Sequence, residues 1–333
     1  MPVYDEYSPL LSVAVGTTAG MRVPEWTDYY ATVDDRVQDI VRRYGGRVAA
    51  EVPELADHLA EVEAELAGIE NVYAAHGVKV QRVGPINDGV FAHFMAGDQA
   101  GGYSFFPADP LWVIGRNLVE CRLREPARNR ELFAMRPLFG HMNGSALRYV
   151  ACPISNPQPI EGEDEYFLEG GDIVIDGARR HIYVGVDEGR STSQVGAEWL
   201  ARTLAEDNWG TTLVPLSPDG PLHLLGSVCF ISPDTLLAYE PAMRDGMPAE
   251  LKSRDVISLT LEETRLGAPC TVMLDPVTAL VSEGLDRVSH ELEQRGITVI
   301  TTPTYLLRSW DGAIRCATAI IERETPAWAQ SPS

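Results

Sequence analysis

The chain has 333 residues, 45% of them apolar and 23% charged, a balance that buries a large core and excludes a disordered chain. Its formal net charge of −21, from 48 acidic against 27 basic residues, leaves no cationic footprint for nucleic acid. An acidic surface concentrates small cations at a cleft, although it serves solubility equally well.

The five cysteines, Cys121, Cys152, Cys229, Cys270 and Cys316, are odd in number, widely spaced and without a CxxC pair. That pattern fits a reducing cytoplasm better than a disulfide framework. The opening MPVYDEYSPL carries early acids in place of a basic region and apolar run, so no signal peptide is expected. No apolar run approaches the length of about 18 residues that a membrane helix needs.

In chain order, Leu10 to Val15 reads as a buried strand ending at Gly16. Leu55, Leu59, Val62, Leu66, Ile69 and Tyr73 recur at helical spacing, Gly77 is a stop, and VKVQRV alternates as a strand. Trp112 to Cys121 supplies a hairpin, and Pro153 to Asp164 is a Pro-, Gly- and acid-rich loop. Ile173 to Ile175 and Ile182 to Val186 form a second hairpin, followed by a helix over Val195 to Leu204 and a strand over Thr211 to Leu216. Val228 to Tyr239 is a further hairpin. The order then returns: strands at Val272 to Leu274 and Leu280 to Val281, a helix through Leu285, Val288 and Leu292 stopped by Gly296, and the strand ITVITT. Repeated strand-strand-helix-strand modules without sequence identity predict a five-bladed α/β propeller with a site at its hub. One domain over 1–325 is expected, with 326–333 a frayed tail.

Three segments carry candidate chemistry. Cys316, in DGAIRCATAIIER, follows Gly312 and lies beside Arg315, a cation able to favour thiolate; a small buried hydrophobe is the alternative. His223, in PLHLLGSVCFI, is placed to relay protons near neutrality or to sit satisfied on a backbone partner. In Phe167-Leu168-Glu169-Gly170-Gly171-Asp172, two carboxylates bracket two glycines ahead of an apolar strand, an arrangement that presents an acid to a cation or simply makes an acidic turn. Phe105-Phe106-Pro107-Ala108-Asp109-Pro110 sets another carboxylate between aromatics and a strand. No P-loop, HExxH or GxSxG motif is present.

Taken together and in order, these segments resemble the guanidino-group-modifying (pentein) superfamily, most closely its amidinotransferase branch. Tyr4-Asp5-Glu6-Tyr7-Ser8-Pro9-Leu10 with VAVGTTAGMRVP, Pro107-Ala108-Asp109, the helix SQVGAEWLARTL and DGAIRCATAIIER carry the resemblance over nearly the whole chain. It implies Cys316 as nucleophile, His223 as acid/base and Glu169 as the acid pairing the substrate guanidinium. Asp109 is implied as a second guanidinium carboxylate, and Asp172, the last acid of its motif, as a further substrate-binding residue.

The implied reaction passes an amidino group from a guanidino donor to an amine through a Cys thioether, without metal or organic cofactor. Arg315 is expected near the substrate, a depressed Cys316 pKa is expected from Arg315 or from the bound cationic substrate, and Cys121, Cys152 and Cys229 are expected to be inert. Partners are small molecules, neither nucleic acid nor membrane, with homo-oligomerisation left open.

Several departures point elsewhere. Glu169-Gly170-Gly171-Asp172 resembles arginine deiminases and dimethylargininases, and Leu225 stands where amidinotransferases carry Asp. Ala108 replaces an Arg, Cys270 an Asn, and TLLAYEPAM lacks an Arg that binds substrate carboxylate. A guanidine hydrolase giving citrulline or another ureido product is therefore the alternative, and an inactive binding homologue a third.

Overall fold

The computed structural model describes residues 2–86, 101–139, 147–154 and 164–330, so most of the expected Pro153–Asp164 loop lies outside the described residues. The chain begins with β1 (Leu10–Val15), β2 (Thr17–Arg22), α1 (Asp35–Tyr44), α2 (Ala56–Ala75), β3 (Lys79–Arg82) and β4 (Gly102–Ser104), which pairs back onto β2. Next come β5 (Leu111–Ile114), β6 (Asn117–Glu120), α3 (Glu131–Phe139) and β7 (Arg148–Ala151), then β8 (Ile173–Asp176), β9 (His181–Val186), α4 (Gln194–Ala205) and β10 (Gly210–Pro215). A fourth group is β11 (Val228–Phe230), β12 (Thr235–Ala238), α5 (Ala249–Lys252) and β13 (Asp255–Ser258). After α6 (Leu261–Arg265) follow β14 (Val272–Asp275), β15 (Thr278–Ser282), α7 (Asp286–Gln294), β16 (Thr298–Thr302), α8 (Tyr305–Ser309) and β17 (Thr318–Arg323).

Five three-stranded sheets share one pairing rule: the first strand runs antiparallel to the second, and the second parallel to the third. A parallel return needs a crossover, and a helix supplies it in each module. In the sheet β17-β1-β3 the antiparallel partner comes from the far end of the chain, with Val13 opposite Ile320. The first module is therefore completed by the last strand, which couples the Cys316 segment to the opening strand.

Burial falls outward across every sheet. The first strands β5, β8 and β11 are buried throughout, whereas the third strands β3, β7 and β13 are mostly half-buried or exposed. Short continuous apolar runs such as IVID therefore mark strands covered on both faces. β8 packs on β11 and β17 on β5, so first strands of different sheets meet one another.

The nucleophile segment is tied to α2. Val62, Leu66 and Ile69 of this helix are fully buried, each worth roughly 1.5–3 kcal/mol of apolar burial. From the same helix, the buried Glu65 carboxylate accepts the Leu306 and Leu307 N–H groups at 2.8–3.0 Å, satisfying the free donors at the start of α8. His58 accepts the Trp310 Nε1–H at 3.0 Å, and burial lowers its pKa to about 4, so the accepting nitrogen stays unprotonated. Trp310 packs on Tyr103 and Phe105, each with centroids at 5.3 Å. At the C-terminus Trp328 meets Tyr4 edge-on at 5.5 Å, so the segment expected to fray is anchored there.

Candidate active site

Glu169 follows a bridge between Leu168 and Arg122 and precedes a tight 3-10 turn, Gly170–Asp172. Both glycines are required by close approach. A Cβ at Gly170 would lie 2.0 Å from the Ala108 carbonyl oxygen, and one at Gly171 would lie 2.6 Å from His223 Nδ1 and 2.9 Å from Asp109 Oδ1. The two glycines thus let the Asp109 loop, the Glu169 turn and the imidazole meet in one place, and the Gly170 N–H donates to the Asp109 carbonyl at 2.8 Å.

His223 has extended backbone and leads into a 3-10 turn, Leu224–Gly226, ahead of β11. Its Nε2 lies 2.6 Å from Glu169 Oε2, while Glu169 Oε1 accepts the Arg124 N–H at 2.7 Å. Burial opposes charge on His223, but Asp172, Asp109 and Glu169 outweigh it and raise its pKa to about 10. Burial likewise pushes the Glu169 carboxyl up, but its contacts with His223 and with the Arg124 N–H pull it net below the usual range. The pair is an imidazolium bound to a carboxylate.

Asp172 is fully buried, and its oxygens accept the N–H groups of Leu224 at 3.0 Å and Thr192 at 3.2 Å. Expected beside the substrate, it instead pins the residue after His223 and so orients the imidazole. Asp109 is buried as well. Its Oδ2 meets Arg128 Nη1 at 2.9 Å, Arg128 is also bonded to Glu131 at 2.9 and 3.1 Å, and Oδ1 has no hydrogen-bond partner among the described residues.

Cys316 and His223 line one cavity of about 630 Å³, within the range of small-ligand sites. Cys270 shares that lining, with its Sγ 3.8 Å from the Cys316 Sγ. The Cys270 thiol lowers the Cys316 pKa most, helped by the Ala313 N–H and by His223, against burial and Asp109. Arg315 has no part in this. Its Nη1 donates to the Thr318 carbonyl at 3.1 Å and its guanidinium lies 4.2 Å from the Trp112 ring centre, outside the cavity, so the expected cation beside the thiolate is His223. Residues 314–317 form a turn, closed by the Ala317 N–H on the Ala313 carbonyl at 2.9 Å, and the side chains of 315 and 316 leave it in different directions. Cys121, Cys152 and Cys229 are buried with pKa values raised by desolvation, as inert thiols should be.

Glu169, Asp109 and Asp172 thus lie behind the imidazole and not on the cavity wall, where the remaining charges are Asp34, Asp35, Asp219, Asp311 and three arginines, Arg190, Arg265 and Arg308. Sequence reading missed Arg128 and Asp311 as participants, and treated Cys270 only as a departure. Arg128 sits in an unremarkable Arg-rich stretch; Asp311, directly before Gly312 in the nucleophile segment, was the visible signal. Among the described residues no cluster of His, Cys, Asp and Glu could hold a metal ion, and no helix is long and apolar enough to cross a membrane.

No family model matches the chain. It is similar to the L-arginine:L-lysine amidinotransferase of Pseudomonas savastanoi pv. phaseolicola, 23% identical over 353 residues, covering 96% of this chain and 93% of that protein. Among solved structures, it superposes on the amidinotransferase SxtG of Microseira wollei, from the saxitoxin biosynthetic pathway, with a TM-score of 0.79 at 23% identity, covering 99% of this chain and 98% of that one. A dimethylarginine dimethylaminohydrolase superposes with a TM-score of 0.64 at 16% identity, over 94% of this chain and 100% of the other. Over nearly its whole length the chain is thus similar in sequence to an amidinotransferase, and it shares its fold with an amidinotransferase and a dimethylarginine dimethylaminohydrolase.

Proposed function

We propose that the protein transfers an amidino group from a guanidino donor to an amine, with Cys316 as nucleophile. The observation that carries this reading is one cavity lined by both Cys316 and an imidazolium, His223, held by Glu169 at 2.6 Å. A lowered thiol beside a raised imidazole favours the thiolate-imidazolium form near neutrality.

The thiolate adds to the guanidinium carbon, forming the S–C bond of a tetrahedral adduct. The C–N bond to the departing amine then breaks, and that nitrogen takes the His223 proton and leaves as neutral amine. The remaining amidino-thioether keeps the positive charge. An acceptor amine attacks the same carbon, gives a proton to the now neutral His223, and breaks the C–S bond, restoring the thiolate. Asp109 Oδ1 and the Glu169 carboxylate keep the local potential negative throughout, which favours a cation at this spot.

The likeness in fold to a dimethylarginine dimethylaminohydrolase supports a second reading, in which water takes the place of the acceptor. Incubation with arginine, with and without candidate amines, separates the two. Ornithine formed only with an acceptor supports transfer; citrulline formed without one overturns it in favour of hydrolysis. We further read the five sheets, with first strands central, as the blades of an α/β propeller over 1–325, and the five free cysteines as fitting a reducing cytoplasm.

Cys270 tunes the nucleophile in this scheme. Cys270→Ala removes the thiol donor, so the Cys316 pKa rises and iodoacetamide alkylation at neutral pH slows by up to about tenfold. Cys270→Ser, which keeps a donor, should retain most of the rate. An alkylation profile against pH that does not move in Cys270→Ala contradicts this role.

A further inference from the structure

The carboxylates of the site are unequally committed. Glu169 gives one oxygen to the Arg124 N–H and the other to His223, Asp172 gives both to backbone N–H groups, and Asp109 gives one to Arg128. Asp311 differs. It lines the same cavity as Cys316 and His223 and accepts no hydrogen bond from the described residues.

Its setting is costly in three ways. Asp311 has φ +64, and of the three non-glycine residues with left-handed backbone among those described, Arg180, Asn208 and Asp311, it alone lines the cavity. It also closes the C-terminal end of α8, its N–H donating to the Arg308 carbonyl at 3.0 Å, where an anion opposes the helix dipole. The cavity leaves it exposed to water, yet protein surrounds it on the other sides. That enclosure raises its carboxyl to about 6, with His223 and Arg190 pulling the other way. A helix stop alone would be served better by Asn or Gly. Unfavourable placement at a cavity wall, with no internal bond to offset it, marks a ligand contact.

Resting on the amidino-transfer reading, we propose that Asp311 is the carboxylate that receives the substrate's cationic guanidino or amidino group at the cavity wall and aligns its carbon with the Cys316 sulfur. The position matters because Leu225, one residue beyond the Leu224 N–H held by Asp172, is buried and apolar and offers the cation nothing. Asp311 is reached from the nucleophile's own segment, so the sulfur and its cation-binding carboxylate move together. Guanidinium and amidinium groups are both planar cations with paired N–H donors that suit a carboxylate.

The test compares two alkylating reagents at Cys316 that share one leaving group, read by mass spectrometry with Cys316→Ala as the labelling control and each rate taken relative to a free thiol: cationic chloroacetamidine and neutral chloroacetamide. In the wild type the cationic reagent reacts faster. In Asp311→Asn, which tolerates the same backbone, the ratio of the two rates falls about tenfold or more, as expected on losing a charge-assisted hydrogen bond. Asp311→Gly, free of backbone strain, gives the same fall. No wild-type preference for the cation, or a preference that survives both substitutions, overturns the assignment. Should Cys316 react with neither reagent, calorimetric titration with methylguanidinium decides instead, and equal affinity in wild type and Asp311→Asn overturns it. Failure of the transfer reading looks different: the protein would turn over no guanidine while the wild-type preference, and its loss at position 311, persisted.

Discussion

Cys316→Ala abolishes both turnover of the guanidino donor and formation of a covalent adduct, a loss on the order of 10⁴-fold or more in kcat. The reason is chemical and local. The adduct in the proposed cycle is bonded to this sulfur, and the other thiol in the cavity cannot replace it. Cys270 is driven well above the ordinary thiol pKa by the shared hydrogen bond and by burial, so it supplies a proton and not a nucleophile. Of the two sulfurs, 3.8 Å apart, Cys316 is the one whose pKa is lowered, by Cys270 first and by His223 as well, which puts the thiolate on Cys316 and the proton on Cys270. Cys316→Ser should fail nearly as completely, because an alkoxide is far less accessible than a thiolate at neutral pH. Intact-mass measurement after brief exposure to arginine reads the outcome: wild type gains one amidino group and the variants gain none. A wild-type adduct that persists in Cys316→Ala, or full turnover in that variant, would remove the nucleophile from this segment. Both substitutions are small and buried, so thermal unfolding should show the variants folded, which separates lost chemistry from lost structure.

Much of the fold was legible because its signals are local. The α2 stripe from Leu55 to Tyr73, the hairpin at Ile173–Val186 and the helix over Gln194–Ala205 each carry their own periodicity and stops. Two features carry no local signal. The pairing of β17 with β1 joins residues some three hundred positions apart, and nothing in TAIIER names LLSVAV as its partner. The second is α1: after its Asp34 cap, five of its first nine positions are charged, and only Val37, Ile40 and Val41 make its apolar stripe. At the site, residue types were readable and directions were not. Glu169, Gly170 and Gly171 announce a tight acidic turn, but only the approach of Ala108, Asp109 and His223 explains why both glycines are needed. Arg315 was expected beside the thiolate because it is adjacent in sequence, but the turn over 314–317 sends the two neighbouring side chains in different directions, which adjacency does not foretell. Asp172 matched a motif, yet its two oxygens are spent on backbone N–H groups, which a one-dimensional reading does not reveal.

Glu169→Gln gives the second large effect, a fall of about 10²–10⁴-fold in kcat, the usual scale of a disabled acid/base pair. The carboxamide can still accept a hydrogen bond from His223, so the ring keeps its place while losing the charge that holds its proton. With Asp172 and Asp109 left to support the imidazolium, its pKa falls from about 10, and the alkaline limb of the rate profile moves to lower pH. The acid limb, set by Cys316 deprotonation, moves upward because a weaker imidazolium stabilises the thiolate less. The two limbs approach each other, and the plateau between them narrows and drops. Stability follows the same linkage. A histidine whose folded pKa is raised from 6.5 to about 10 stabilises the fold fully below pH 6.5 and loses that contribution as pH rises through 10. Glu169, with its pKa lowered, contributes above its unfolded value of 4.5 and loses its share in acid. The stability gap between wild type and Glu169→Gln, about 1–3 kcal/mol for a charge-assisted hydrogen bond, is therefore widest between about pH 4.5 and 6.5 and shrinks towards pH 10. Denaturant titrations across that range, paired with kcat against pH, measure both. A merely structural Glu169 would lower stability without drawing the two limbs together, and limbs that stay where they are in the variant would reduce it to that role.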